Sequence, residues 1–457
     1  MWISAWARHL QGPFLALTAC CLAATTVGAA PVAADPPDLS RDVVQRLLQS
    51  DPTARLDAAG RLFFADRHTA RLVGPEAPAR AVAPLNETFS LHSRPRSKRV
   101  LYLDFDGERV CNTGWNRGDG GILGGLLTPT LPCGDYEGFK GATSHRLPSA
   151  DLKAIQEVWA RVSEDFAPFD IDVTTQRPKH SAIERAGSGD DRFGVHAVVT
   201  ASTRARNATC GGPGCAGVAY VGVFPDAHAN DQRILWAFSE EIGNNPRRLA
   251  DVLSHEAGHT LGLLHDGGGG DGEYYGGHGI WGPIMGSGDR HLTQWSRGEY
   301  AGASQRQDDL AVIAKHGVQR IRDDHADGRR GASRLKRGQT AHGVITSSTD
   351  TDAFTLRTTC RSRVVLRARN AALGPNLDIR MTIRRPGARR AQVIDPLSSA
   401  SGKAGGLDAT WRGKARPGTW LVTLAGTGAR DPGSTGYSRY GSLGQFTLKA
   451  SGRCVRR

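Results

Sequence analysis

The chain has 457 residues, 39% of them hydrophobic, with 58 Lys and Arg against 45 Asp and Glu for a formal net charge of +13. That length accommodates two domains besides processing segments, and beyond the N-terminus no apolar run is long enough to span a membrane, which excludes a membrane-embedded class for the mature part. The positive excess is local: from Arg329 onward 25 Lys and Arg face 6 Asp, a balance of +19, and the remainder carries 33 against 39, or −6. A basic module beside a mildly acidic one fits attachment to anionic surfaces such as wall polymers, or equally an arginine-rich surface serving solubility; no specific nucleic-acid partner is expected, and the oligomeric state is not legible.

Residues 1–34 carry Arg8 near the start, an apolar stretch from Phe14 to Val27, and small residues at 28–30 and 32–34. This reads as a signal peptide cut after about Ala30 or Ala34, making the protein secreted. The alternative is a lipid anchor at Cys20, since Leu17-Thr-Ala-Cys20 has lipobox form, although the apolar run continues past it. With Cys20 and Cys21 in this segment, six cysteines remain, an even number suited to an oxidising compartment. Of the fifteen connectivities open to six cysteines, the preferred pairs are local or within one predicted domain: Cys111 with Cys133, Cys210 with Cys215, Cys360 with Cys454.

Residues 35–97 begin with a helical pattern at 39–48 and continue into a turn and short strand at 56–64. Two readings stand: a propeptide or N-terminal extension with Arg94-Pro-Arg-Ser-Lys-Arg99 as a cleavable basic border, or an integral layer of the following domain. A first strand follows at 100–105 and turns at Asp106-Gly107; Asp104 and Asp106 fit strand and turn roles better than a calcium site. An amphipathic helix spans 149–166 with Ile155, Val158, Trp159, Val162 and Phe166 inward, and strands are expected at 168–175, 193–200, 216–224 and 233–238.

Asn245 and Pro246 start the next helix as N-cap and first-turn proline. Within it His255 and His259 are four apart and share a face, so both reach one metal ion. Gly262 tolerates positive φ and lets the chain turn back, which brings His265 in as a third ligand. Three neutral imidazoles leave the fourth tetrahedral position of a Zn2+ ion to water, whose pKa falls towards roughly 7. Glu256 is placed to take its proton as general base.

The glycine-rich run 267–279 reads as a mobile surface loop; calcium binding through Asp271 and Glu273 is the weaker reading, and His278 is read as an exposed loop residue. Met285 follows in Gly282-Pro-Ile-Met-Gly, one of only three methionines in the chain. A last helix at 307–315 closes this domain near residue 320.

His255-Glu-Ala-Gly-His259-Thr-Leu-Gly262-Leu-Leu-His265 followed by Met285 resembles the metzincin zinc endopeptidases. The resemblance implies an α+β catalytic domain over 98–320 with a mixed twisted sheet, an active-site helix and a methionine turn beneath the ligands. Asp266 after the third histidine is similar to the reprolysin branch and implies a structural role; Ser287 stands where other branches carry a tyrosine ligand. With no cysteine between 22 and 110, a propeptide thiol cannot cap the metal from that region. The segments at 100–107 and 168–175 are similar to secreted bacterial members. By the same analogy, one strand of the sheet pairs with the substrate main chain, though which one is not legible.

After a polar linker, 321–337, short alternating runs recur at 341–345, 353–357, 364–368, 377–383, 419–425 and 445–450, separated by Gly and Pro turns, as in an all-β sandwich. Asp350-Thr-Asp-Ala-Phe354, Asn376-Leu-Asp378 and Gly418-Thr-Trp-Leu-Val422 resemble the pre-peptidase C-terminal domain of secreted bacterial proteases over 338–457. The expected function is a secreted zinc metalloendopeptidase acting on proteins or peptides. The rivals are a cell-wall amide hydrolase and a surface-binding or adhesion protein with a vestigial zinc site.

Overall fold

Five α-helices and twenty strands run through residues 39–67, 78–117, 130–268, 272–288, 290–395 and 406–456, the residues this computed structural model describes. Residues 1–34, read above as a signal peptide and including Cys20, and Asp271 lie outside them. In chain order the first part comprises α1 (Arg41–Ser50), β1 (Ala54–Leu56), β2 (Leu62–Asp66), β3 (Arg99–Asp104), β4 (Glu108–Val110), β5 (Gly134–Tyr136), α2 (Ser149–Asp165), β6 (Asp172–Thr174), β7 (Phe193–Thr200) and α3 (Thr203–Cys210). There follow β8 (Gly217–Tyr220), β9 (Ile234–Phe238), α4 (Pro246–Thr260), β10 (Trp281–Pro283), β11 (Leu292–Gln294) and α5 (Asp309–Lys315). The last third holds β12 (Ser333–Leu335), β13 (Thr340–Ile345), β14 (Asp352–Thr358), β15 (Ser362–Asn370), β16 (Ile379–Arg384), β17 (Gln392–Ile394), β18 (Ala409–Ala415), β19 (Gly418–Gly426) and β20 (Gly444–Ser451).

The first part is a mixed α+β arrangement around a seven-stranded sheet of order β1-β2-β8-β9-β7-β3-β6. β6, β3, β7 and β9 run parallel, while β8, β2 and β1 continue the sheet in antiparallel pairs. Side chains alternate across it, as a period of two requires. Leu235 and Ala237 of β9 and Val195, Ala197 and Val199 of β7 meet the apolar faces of α2 and α4. Trp236 and Phe238 turn instead to the opposite core with Phe63, Trp115, Val198 and Tyr220. Residues 54–66, from the stretch with two open readings, are thus two strands of the main sheet.

The border at residues 94–99 is itself built in: the Arg94 N–H donates to Asp172 Oδ1 at 2.9 Å, the Ser97 hydroxyl donates to the Asp170 carbonyl at 2.9 Å, and Arg99 opens β3. Asp104 is fully buried; it shares a 2.8 Å hydrogen bond with His196 Nε2, accepts from Arg177 at 3.2 Å and receives the N–H groups of Asp106 and Gly107, a turn role. The disulfides join Cys111 to Cys133, Cys210 to Cys215 and Cys360 to Cys454, as preferred from the sequence. No helix among the described residues is long and apolar enough to cross a membrane.

The last third is β-rich, with one sheet of order β12-β14-β19-β16-β17 and another of order β13-β20-β15-β18. Phe354, Met381, Ile383, Val422 and Leu424 of the first share a core with Leu366, Trp411, Phe446 and Leu448 of the second, consistent with a β-sandwich. β18 was not expected, because Ala-Thr-Trp-Arg-Gly-Lys-Ala shows a single large apolar residue; its inward set is Ala409, Trp411 and Ala415, with basic residues outward.

This region is tied to the helices of the first. Gln445 donates to both oxygens of Glu164, from its N–H to Oε1 and from Nε2 to Oε2, each at 2.9 Å. Asn376 Nδ2 donates to Asp165 Oδ1 at 2.7 Å, and Asp165 Oδ2 accepts from the Ser254 hydroxyl at 2.5 Å, one residue before His255. Burial pushes Glu164 up from 4.5 to about 8 against the Gln445 donors. A carboxyl so raised stabilises the fold fully below its unfolded value, and that contribution is lost as the pH climbs from 4.5 towards 8. Melting temperature measured across that window should therefore fall, by the equivalent of about 5 kcal/mol at its limit. Glu164→Gln should flatten the slope; an unchanged profile in that variant would assign the effect elsewhere.

Candidate metal centre

The centre is built on α4. Asn245 caps it by accepting the N–H groups of Arg247 and Arg248 at 3.1 Å, with Pro246 in the first turn. Leu249, Val252, Leu253 and Ala257 bury one face, which fixes the helix rotation and aims His255 and His259 towards the sheet. At its end the Leu263 N–H returns to the Gly258 carbonyl at 3.0 Å, and Gly262 sits at φ +87°, the left-handed turn that carries His265 back. A β-carbon on Gly262 would lie 2.6 Å from the His316 ring, so close packing reinforces the conformational demand for glycine.

Each histidine has its Nδ1 engaged by an oxygen: His255 by the Ile284 carbonyl at 2.9 Å, His259 by the Leu263 carbonyl at 2.8 Å, His265 by Asp51 Oδ2 at 2.7 Å. An Nδ1 hydrogen donated in this way leaves the Nε2 lone pair free, the tautomer a metal ligand needs. The Nε2 atoms converge, those of His259 and His265 being 3.1 Å apart. His255 and His259 are fully buried and His265 is 5% exposed.

A fourth donor stands among them. Asp66, the last residue of β2 and fully buried, places Oδ2 3.3 Å from His255 Nε2 and 3.0 Å from His259 Nε2, and Oδ1 3.2 Å from His265 Nε2. Tyr274 donates its hydroxyl to Asp66 Oδ1 at 2.9 Å. Lone pairs of three imidazoles and a carboxylate facing one point repel unless a proton or a cation lies between them, and four such donors within 4.8 Å of one another fit a divalent ion that takes nitrogen and oxygen ligands. Burial drives His255 down to about 4. At His265 burial acts in the same direction, but the Asp66 and Asp51 carboxylates outweigh it and hold the ring at about 9.

Glu256 is fully buried beside this cluster, and neither of its oxygens is met by a donor. Burial, and then the neighbouring Asp66 carboxylate, push its pKa well above the usual range. Room for it comes from β8, where a β-carbon on Gly217 would lie 2.1 Å from Glu256 Oε1. Met285 is fully buried beneath α4, where a β-carbon on Gly258 would lie 2.5 Å from its sulfur. Asp266 holds this floor in place: its N–H donates to the Met285 carbonyl at 2.8 Å, and its carboxylate accepts from Gln305 at 3.1 Å.

The structure thus brings His255, Glu256, His259, His265, Gly262, Asp266 and Met285 into one site. It adds Asp51, Asp66 and Tyr274, which the sequence did not single out. His278, read as an exposed loop residue, is half-buried, with Nδ1 2.7 Å from the Tyr275 hydroxyl and Nε2 against the Gly436 carbonyl of the β-rich region. His278 thus meets the last third of the chain, a contact that the glycine content around it conceals.

No protein-family model matches the chain, and no curated protein matches it. Among solved structures, 26% of the chain is similar to 94% of the pre-peptidase C-terminal domain of a collagenase from Bacillus anthracis, at 13% identity and a TM-score of 0.20. Another likeness joins 27% of the chain to 97% of PliG, a periplasmic inhibitor of g-type lysozyme from Aeromonas hydrophila, at 13% identity and a TM-score of 0.18. Both likenesses are too slight to carry function across.

Proposed function

We propose that the protein is a secreted zinc endopeptidase of metzincin type, close to the reprolysin branch, with an accessory β-sandwich of pre-peptidase C-terminal type. One observation carries the reading: three buried imidazoles whose Nδ1 atoms are each engaged by oxygen, so that three Nε2 lone pairs meet beside an otherwise unmatched glutamate. His255, His259 and His265 would hold the ion. Zinc bound there supplies Lewis acidity, polarising a peptide carbonyl and acidifying a water. Glu256 would take a proton from the attacking water and later deliver it to the leaving amine. The +19 balance from Arg329 onward supports attachment of the accessory region to anionic polymers or substrates.

Asp66 favours a second reading, a closed metal site in a surface-binding protein, because a fourth protein donor removes the position a water would take. Incubating the zinc-loaded chain, and its Asp66→Ala form, with a diverse peptide mixture separates the two. Chelator-sensitive cleavage with new N-termini supports the endopeptidase. Intact peptides in both forms, with zinc retained, would leave the binding reading standing.

A further inference from the structure

Resting on the zinc-site reading above, we infer that β2 is an internal substrate mimic and that Asp66 is the latch that closes the metal centre, making the full chain a latent form. β8 has two edges. One pairs with β9; the other, beside the histidines, is taken by β2 in antiparallel register, Phe63 opposite Tyr220, Phe64 opposite Ala219, Ala65 opposite Val218 and Asp66 opposite Gly217. The pairing continues past both ends, with the Ala216 N–H donating to the Asp66 carbonyl at 2.8 Å and the Val221 N–H to the Leu62 carbonyl at 3.0 Å. An extended polypeptide reaching the histidines along this edge has to displace β2, because main-chain groups of one strand edge serve one partner at a time.

The alternation of β2 decides what it presents to the centre. Phe63 and Ala65 enter the core on the far face of the sheet, so Phe64 and Asp66 point towards α4. Phe64 lies over the rings of His259 and His265, at 4.6 and 4.3 Å between centroids, and Asp66 reaches all three Nε2 atoms. The strand therefore fills the cleft with main chain, covers two ligands with a phenyl ring and offers a carboxylate where the water and the polarised carbonyl oxygen would stand. The Tyr274 hydroxyl donates to the same carboxylate at 2.9 Å.

The same N-terminal stretch also supports the site, since Asp51 accepts from His265 Nδ1. Deleting the stretch would remove latch and support together. The informative change is Asp66→Ala in the full chain, which leaves Asp51 and β1 in place. Its neutral counterpart Asp66→Asn keeps the side-chain volume, should alanine impair folding.

Wild type and both variants are loaded with Co2+ and titrated with acetohydroxamate, followed by calorimetry and the cobalt absorption spectrum, and each zinc form is assayed on a quenched peptide library. A latch closed 99 times in 100 weakens apparent acetohydroxamate binding about 100-fold, so the variants should bind at least tenfold more tightly than wild type. Their cobalt spectrum should change as a carboxylate ligand is lost, and peptide turnover should rise by a similar factor. If wild type binds acetohydroxamate as tightly as the variants and the spectrum is unmoved, Asp66 is no latch. Tighter binding and a changed spectrum without cleavage would keep the latch and remove the endopeptidase reading.

Discussion

Glu256→Gln should lower peptide turnover by about 10²–10⁴-fold while zinc content stays at one ion per chain, measured in the full chain or its Asp66→Ala form, whichever turns over. The substitution keeps the shape of a side chain wedged between α4 and Gly217 and removes only its capacity to accept a proton. The three imidazoles are held at Nδ1 by Ile284, Leu263 and Asp51 rather than by Glu256, so the ligand set is untouched. Its effect should fall on kcat more than on KM, because the proton moves in the transition state. Undiminished turnover in the variant would require another base.

Gly217→Ala should damage both fold and site. The added methyl would lie 2.1, 2.6 and 2.7 Å from Oε1, Cδ and Cγ of Glu256, far inside contact distance, and β8 is held between β2 and β9, so the carboxylate has to give way. Overpacking of this kind costs about 1–3 kcal/mol. Thermal unfolding should show that loss, and activity should fall well beyond it, with zinc retained because the histidines are held at Nδ1 by Ile284, Leu263 and Asp51. A variant as stable and active as wild type would mean that β8 shifts freely, in conflict with its place inside the sheet.

The two glycines that matter most here illustrate what the sequence discloses. Gly262 was legible, because a third histidine after a helix demands a turn and only a left-handed residue supplies it. Gly217 was not, since its need arises from a carboxylate 39 positions away across a strand-to-helix contact. The histidine spacing is local and periodic, so helix geometry alone gathers two of the ligands. Asp66 has no such signature: it ends a run of apolar residues and meets His259 across 193 positions, a contact set by sheet order rather than by any motif. Tyr274 likewise sits in a stretch whose glycines conceal a defined path. In the last third, strands with large inward residues were readable, whereas β18, with two alanines and one tryptophan inward, was not.

The seam between α2 and the β-rich region has a consequence for how the chain is made. Asn376 and Gln445 meet Asp165 and Glu164 across 211 and 281 positions, so two acidic side chains at the end of a core helix wait for partners translated long after them. Contacts of such separation form late and slowly. Until then Asp165, whose Oδ2 accepts from Ser254 in the helix that carries His255, lacks the Asn376 donor on its Oδ1. A nascent chain emerging from its N-terminus would thus complete this seam only once Asn376 and Gln445 have emerged, after β2 has had every opportunity to take the edge of β8.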